Sequence, residues 1–107
     1  MKQTGVLHVI NDFMQRDDRI IVHPNDGFDL GIVTSFRAVD IYLGPKTKEE
    51  AHKAGGHLKG VILLESRCKQ GTVEIGKRTW EQLGKPSSLV LLLEEDKLLV
   101  GSVRRQA

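Results

Sequence analysis

The 107-residue sequence predicts a mainly β protein with a closed or sandwiched sheet assembled from two related units. Three observations carry this. Gly5-Val6-Leu7-His8-Val9-Ile10, Arg19-Ile20-Ile21-Val22, Leu30-Gly31 and Val39-Asp40-Ile41-Tyr42-Leu43 are echoed by Gly60-Val61-Ile62-Leu63-Leu64, Thr72-Val73-Glu74-Ile75, Leu83-Gly84 and Leu89 to Leu93. The spacing is 55 residues from Gly5 to Gly60 and 53 from Gly31 to Gly84, and near-constant spacing marks units that cannot bury their apolar faces alone. The run Leu89 to Leu93 is apolar at every position, which asks for burial on both faces of the sheet. The β-rich segments are short and are separated by turn residues, as in Pro24-Asn25-Asp26-Gly27 and Gln70-Gly71.

Residues 5–11 read as a strand because aliphatic and β-branched residues dominate without a helical stripe. Residues 11–18 are polar apart from Phe13 and Met14, which predicts a turn or wide loop. A second strand over 19–23 stops at Pro24, whose ring nitrogen cannot donate to a ladder. Asn25-Asp26-Gly27-Phe28-Asp29 has poor helix propensity, so no helix is expected in the first unit. Residues 38–44 alternate, placing Val39, Ile41 and Leu43 on one face. Thr47-Lys48-Glu49-Glu50 matches a capping box and predicts a short connector helix over 48–54, ended by Gly55-Gly56.

In the second unit, strands over 58–66 and 72–76 flank Gln70-Gly71. A short helix over 77–83 puts Trp80 and Leu83 on one face, where Trp80 is expected to anchor the core, and Gly84 and Pro86 end it. Residues 88–94 and 97–103 form a hairpin around Glu95-Asp96. The expected organisation is one domain over 1–107, with a repeat of 4–44 and 58–103 joined by a connector at 45–57.

Apolar residues at 39% and charged residues at 28% are ordinary globular usage, which argues against disorder. The longest apolar run is too short for a bilayer, and no basic-then-apolar segment opens the chain, so a soluble, cytoplasmic protein without a membrane partner is expected. A single cysteine, Cys68, agrees with a reducing compartment. Flanked by Arg67 and Lys69, its thiol would be acidified if exposed; otherwise it is an ordinary free thiol. The net charge of +2 is mild, but its distribution is uneven: Asp12, Asp17, Asp18, Asp26 and Asp29 crowd the first third, while Arg67, Lys69, Lys77, Arg78 and Lys85 crowd the second half.

Catalytic and metal signatures are weak. His52 and His57 stand five apart across two glycines beside Glu49 and Glu50, outside the three- or four-residue spacing that helical ligands use, so no metal is expected. No nucleophile has a partner at a recognisable spacing and no phosphate loop or dinucleotide fingerprint occurs, so neither an enzyme nor a cofactor is expected.

Gly71-Thr72-Val73-Glu74-Ile75, Trp80, Leu83-Gly84, Leu91 to Leu93 and Asp96-Lys97-Leu98-Leu99-Val100 together resemble the swapped-hairpin domain of AbrB-type and MraZ-type bacterial and archaeal regulators. The resemblance covers residues 58–103, and extends more loosely over 4–44 through Thr4-Gly5-Val6, Arg19 to Val22 and Leu30-Gly31. It implies a small closed barrel made of two hairpin-helix-hairpin units. It also implies DNA contacts from basic residues in the first hairpin turn and at the start of the short helix: Arg16 and Arg19 in the first copy, and Lys69, Lys77 and Arg78 in the second. Thr72 replaces an arginine usual after the turn glycine, and Gly76 replaces a proline usual before the helix.

The function expected is that of a small regulator binding double-stranded DNA, with two-fold symmetry supplied within the chain or by a homodimer. The alternative is a non-catalytic interaction or accessory module, such as a viral or mobile-element component. In that case Asp17, Asp18, Asp26 and Asp29 receive a basic protein partner.

Overall fold

A computed structural model describes residues 2–11, 16–44 and 58–103. In these segments lie eight strands and two short helices. The strands are β1 (Lys2–Gln3), β2 (Leu7–Asn11), β3 (Arg19–Val22), β4 (Phe36–Leu43), β5 (Leu58–Leu64), β6 (Thr72–Ile75), β7 (Ser88–Glu94) and β8 (Lys97–Ser102); the helices are α1 (Pro24–Asp29) and α2 (Lys77–Gln82). Seven strands close a barrel in the order β7-β2-β6-β3-β5-β4-β8, with β8 returning to β7, and the short β1 pairs with Leu92 and Leu93 of β7 on the side where β2 pairs with Ser88 and Leu89. The mainly β closed barrel expected from the sequence is therefore the fold. The connector helix expected over 48–54 lies outside the described residues.

The sheet is not built from self-contained hairpins. β2 runs parallel to β6, with His8 opposite Thr72, and β3 runs parallel to β5, with Arg19 opposite Val61. Each unit thus lends its first strand to the other, and the segments joining β2 to β3 and β5 to β6 must cross over. β7 and β8 form a tight hairpin, turning at Glu95-Asp96 as expected, and the consecutive strands β4 and β5 also pair antiparallel, from Ile41 opposite Leu58 to Phe36 opposite Leu63. Strand alternation and a turn glycine look alike in both arrangements, so local pattern could not separate hairpin from exchange.

One shift of 53 residues relates the two units. It carries His8 to Val61 and Arg19 to Thr72, which turns one parallel pair into the other. Ile21 and Glu74, opposed at the antiparallel contact of β3 with β6, are themselves 53 apart. Backbone bonds repeat likewise: the His8 N–H donates to Gly71 O and the Val61 N–H to Asp18 O, both at 2.9 Å. Structural equivalence therefore sets Leu7 against Gly60, rather than Gly5 against Gly60. Beyond the helices the shift falls to 50, since Val39 opposes Gly60 as Leu89 opposes Leu7.

The barrel interior is filled by alternate residues of the strands, including Leu7, Ile20, Val22, Ile62, Val73, Ile75, Leu89, Leu91 and Leu98. Each such side chain, fully removed from water, contributes roughly 1.5–3 kcal/mol before entropy is counted. The run 89–93 is less uniform than its composition: Leu89, Leu91 and Leu93 point inward, while Val90 and Leu92 are half-buried. Leu92 packs outside the barrel on Tyr42 and Leu99.

α1 corrects the expectation that the first unit has no helix. Its start is supplied by His23, whose Nδ1 accepts from the Asn25 N–H at 3.0 Å, and by Pro24, whose locked φ suits the first helical position. Gly27, the poorest helix former in the interior of the segment, is favoured by packing, because a Cβ there would overlap the Leu64 side chain. Tertiary contact outweighs a propensity cost of about 1 kcal/mol. α1 and α2 end alike: Gly31 (φ +78°) and Gly84 (φ +85°) adopt the left-handed turn that suits glycine, and their N–H groups donate to Phe28 O and Glu81 O at 2.8 and 3.0 Å. On α2, Trp80 packs against the core as expected and its Nε1 donates to Pro86 O at 3.1 Å.

Candidate functional site

Strand exchange determines which charged residues meet. The segment leading into β3 reaches the start of α2, where Asp17 Oδ1 accepts from the Arg78 and Thr79 N–H groups at 3.1 and 3.3 Å. The Thr79 hydroxyl donates back to the Asp17 carbonyl at 3.3 Å. Arg16 and Arg19 of the first unit are thereby brought to the same end of the barrel as Lys77 and Arg78 of the second. All four are exposed. Lys69 is also exposed, but it stands in the opposite crossing segment beside α1, where the Gly71 N–H donates to Asp26 Oδ2 at 2.8 Å and Asn25 Nδ2 to Gln70 Oε1 at 3.1 Å.

The cations at the α2 end are tempered by acids. Arg16 is held to Asp18 through two contacts, Nε to Oδ1 at 3.1 Å and an Nη to Oδ2 at 3.0 Å. Lys77 lies 3.9 Å from Glu81 one turn along the helix. Such exposed pairs contribute less than about 1 kcal/mol, so an incoming anion can displace them at little cost. Asp17 and Asp26 direct their carboxylates at backbone N–H groups of the opposite unit, and Asp26 is buried. Asp18 is engaged by Arg16, and Asp29 is exposed at the end of α1. The four aspartates therefore do not gather into one open acidic patch.

Two features escaped the sequence. One is an open groove of about 460 Å³ beside α1, lined by Pro24, Asn25, Phe28, Ile32, Val33, Thr34, Ser35 and Leu64. Phe28 is 69% exposed, Val33 81%, and Phe36 just beyond the groove 59%. The 53-residue shift carries Pro24, Asn25 and Phe28 to Lys77, Arg78 and Glu81, so equivalent helix faces are apolar in one unit and charged in the other. That exchange was visible as a pattern, but only once the register of the repeat was known. The other feature is Arg67, which bridges Glu65 at 2.8 Å and Glu74 at 3.1 Å. Glu74 foremost, then Glu65, pushes the Arg67 guanidinium further up.

Cys68 is buried in the β5–β6 crossing segment, its Sγ 3.4 Å from the Thr72 hydroxyl. Burial is the main cause that pushes its thiol up, although Arg67 and Thr72 act the other way. Its charged flanks therefore do not make it a thiolate. Among the described residues, no group of three or more His, Cys, Asp or Glu side chains converges to hold a metal, and no helix is long and apolar enough to cross a membrane. His52 and His57, with Glu49 and Glu50, lie outside the described residues. A second, smaller hollow of about 270 Å³, where β4 and β5 meet the β7–β8 turn, carries Asp40, Lys59 and Asp96. Arg37 reaches from β4 to Glu95 O at 2.8 Å and Asp96 Oδ1 at 3.2 Å.

Comparison with protein-family models, with curated proteins and with solved structures finds no match.

Proposed function

We propose that the protein is a small, non-catalytic regulator that binds double-stranded DNA through the end of the barrel formed by the β2–β3 crossing segment and the start of α2. The observation that carries this is the convergence of Arg16, Arg19, Lys77 and Arg78, drawn from both units by the strand exchange. Exposed cations on a rigid scaffold neutralise phosphates and release counterions, a contribution that does not depend on base sequence. Arg19 and Arg78 also carry the planar fork that bonds phosphate or guanine edges in pairs. Lys69, at the opposite end, is outside this contact surface.

Fluorescence anisotropy with a labelled duplex tests the assignment. Lys77→Glu/Arg78→Glu is expected to abolish binding at low salt, because it both removes two cations and adds two anions. Lys69→Ala is expected to bind as the wild type does. Equal losses in both variants, or no wild-type binding at low salt, would contradict it.

A second reading has its own observation. The apolar groove at α1, with Phe28, Val33 and Phe36 exposed, fits a protein-docking module better than a DNA reader. It predicts unchanged function when the four cations are removed and loss when Phe28 is made polar.

A further inference from the structure

We infer, on the DNA reading just proposed, that Arg16 reads a guanine base and that Asp18 is the positioning residue that aims it. Asp18 Oδ1 accepts from Arg16 Nε at 3.1 Å and Oδ2 from an Nη at 3.0 Å, so the carboxylate occupies the side edge of the guanidinium. The parallel N–H pair at the tip of the fork stays available, and the Arg16 side chain is 66% exposed. Such a tip matches O6 and N7 of guanine, two uncharged acceptors on one edge in the major groove. A base edge binds there without displacing the brace, whereas a phosphate at the same tip stands close to the Asp18 carboxylate and is repelled. Direction, more than net charge, is what this pair offers a ligand.

The brace is itself held in place. The Arg16 carbonyl accepts from the Arg19 N–H at 3.2 Å, the Asp18 carbonyl accepts from the Val61 N–H at 2.9 Å, and Asp17 between them caps α2. Backbone around the pair is thus tied to the barrel, and a fork already held in its binding direction loses less freedom on contact. Phosphates suit the other three cations better. Lys77 has no fork, and among the described residues no carboxylate braces Arg19 or Arg78.

Closing the crossing segment does not depend on this pair. The 53-residue shift sets Lys69 against Arg16 and Gly71 against Asp18. The equivalent backbone bond, from the His8 N–H to Gly71 O at 2.9 Å, forms there with neither fork nor brace.

Selection by the full chain from a pool of duplexes randomised in sequence is the test. The wild type is expected to enrich guanine at a defined position. Arg16→Lys keeps the charge and loses the fork, so it is expected to lose roughly 5- to 150-fold in preference for that guanine, the worth of one bidentate base contact. Its salt slope on a duplex of random sequence is expected to stay as in the wild type. Asp18→Asn is expected to bind random duplex more tightly, because an anion is gone, and yet to prefer the guanine less. It keeps the backbone carbonyl that the Val61 N–H uses, and the Arg16 side chain is exposed, so circular dichroism is expected to stay unchanged in both variants. An Asp18→Asn variant that tightens on all duplexes alike, with the guanine preference intact, would overturn the positioning role. Guanine preference retained by Arg16→Lys, or salt-dependent wild-type binding with no preferred base, would overturn the inference and leave the DNA reading standing. No wild-type binding to any duplex at low salt would overturn both.

Discussion

Two glycines show how single positions hold the exchange together. Gly27 and Gly60 both lack room for a Cβ, but the obstacle differs: at Gly27 it is the Leu64 side chain, and at Gly60 it is the backbone carbonyl of Asp18 together with the Ile41 tip. Gly27→Ala is expected to cost about 1–3 kcal/mol as an overpacked site, and a simultaneous Leu64→Ala is expected to recover part of that loss. Gly60→Ala has no such rescue, because a backbone oxygen cannot be trimmed. Urea unfolding of the wild type and the three variants measures the difference. Cys68 supplies a second test at this scale. Its raised thiol pKa is expected to leave it unreactive to a thiol reagent at pH 8 while folded and reactive once unfolded. The sign follows from burial: the stability contributed is full below the thiol's unfolded pKa and is lost as pH rises through the higher folded value.

Among the elements, α1 and α2 were unequally legible for reasons that can be named. Lys77 to Gln82 contains good helix formers and ends at a Leu-Gly pair, so local chemistry announces it. α1 contains Pro24, Asn25, Asp26 and Gly27, and what sustains it is non-local: the Leu64 side chain against Gly27 and the Asp26 carboxylate on the Gly71 N–H. No local pattern records a partner 45 residues away. The tie at α2 is the reciprocal one, since Asp17 caps a helix that follows it by 60 residues. Asp17→Ala is expected to lower stability by about 1 kcal/mol, the usual worth of a side-chain cap. The same change removes a negative charge from the proposed contact surface, so it is expected to tighten DNA binding while weakening the fold. Chemical denaturation and anisotropy on the same preparation check both signs.

At the scale of the whole molecule, the closed barrel was legible in the sequence, and the swapped-hairpin resemblance implied that two units interleave, but no local pattern set the register of the exchange. Parallel pairs such as His8 with Thr72 join residues 64 apart and carry no mark in either strand. The candidate site was hidden for the same cause. Arg16, Arg19, Lys77 and Arg78 were each identifiable, yet they separate by unit along the chain and converge only because the strands cross. The groove was missed because Phe28, Val33 and Phe36 look like scattered apolar residues until the 53-residue register sets Phe28 against Glu81. Seen through that register, the two units present the same scaffold with different surfaces, one apolar at its helix and one basic.

Salt dependence of duplex binding tests the basic surface most directly. Each phosphate neutralised lowers log K by about 0.9 per decade of salt, so four engaged cations predict a slope of roughly −3.6 per chain. Lys77→Ala/Arg78→Ala is expected to bind more weakly and to flatten that slope by about 1.8. Binding with an unchanged slope in the double variant, or no binding by the wild type even at low salt, would contradict the assignment.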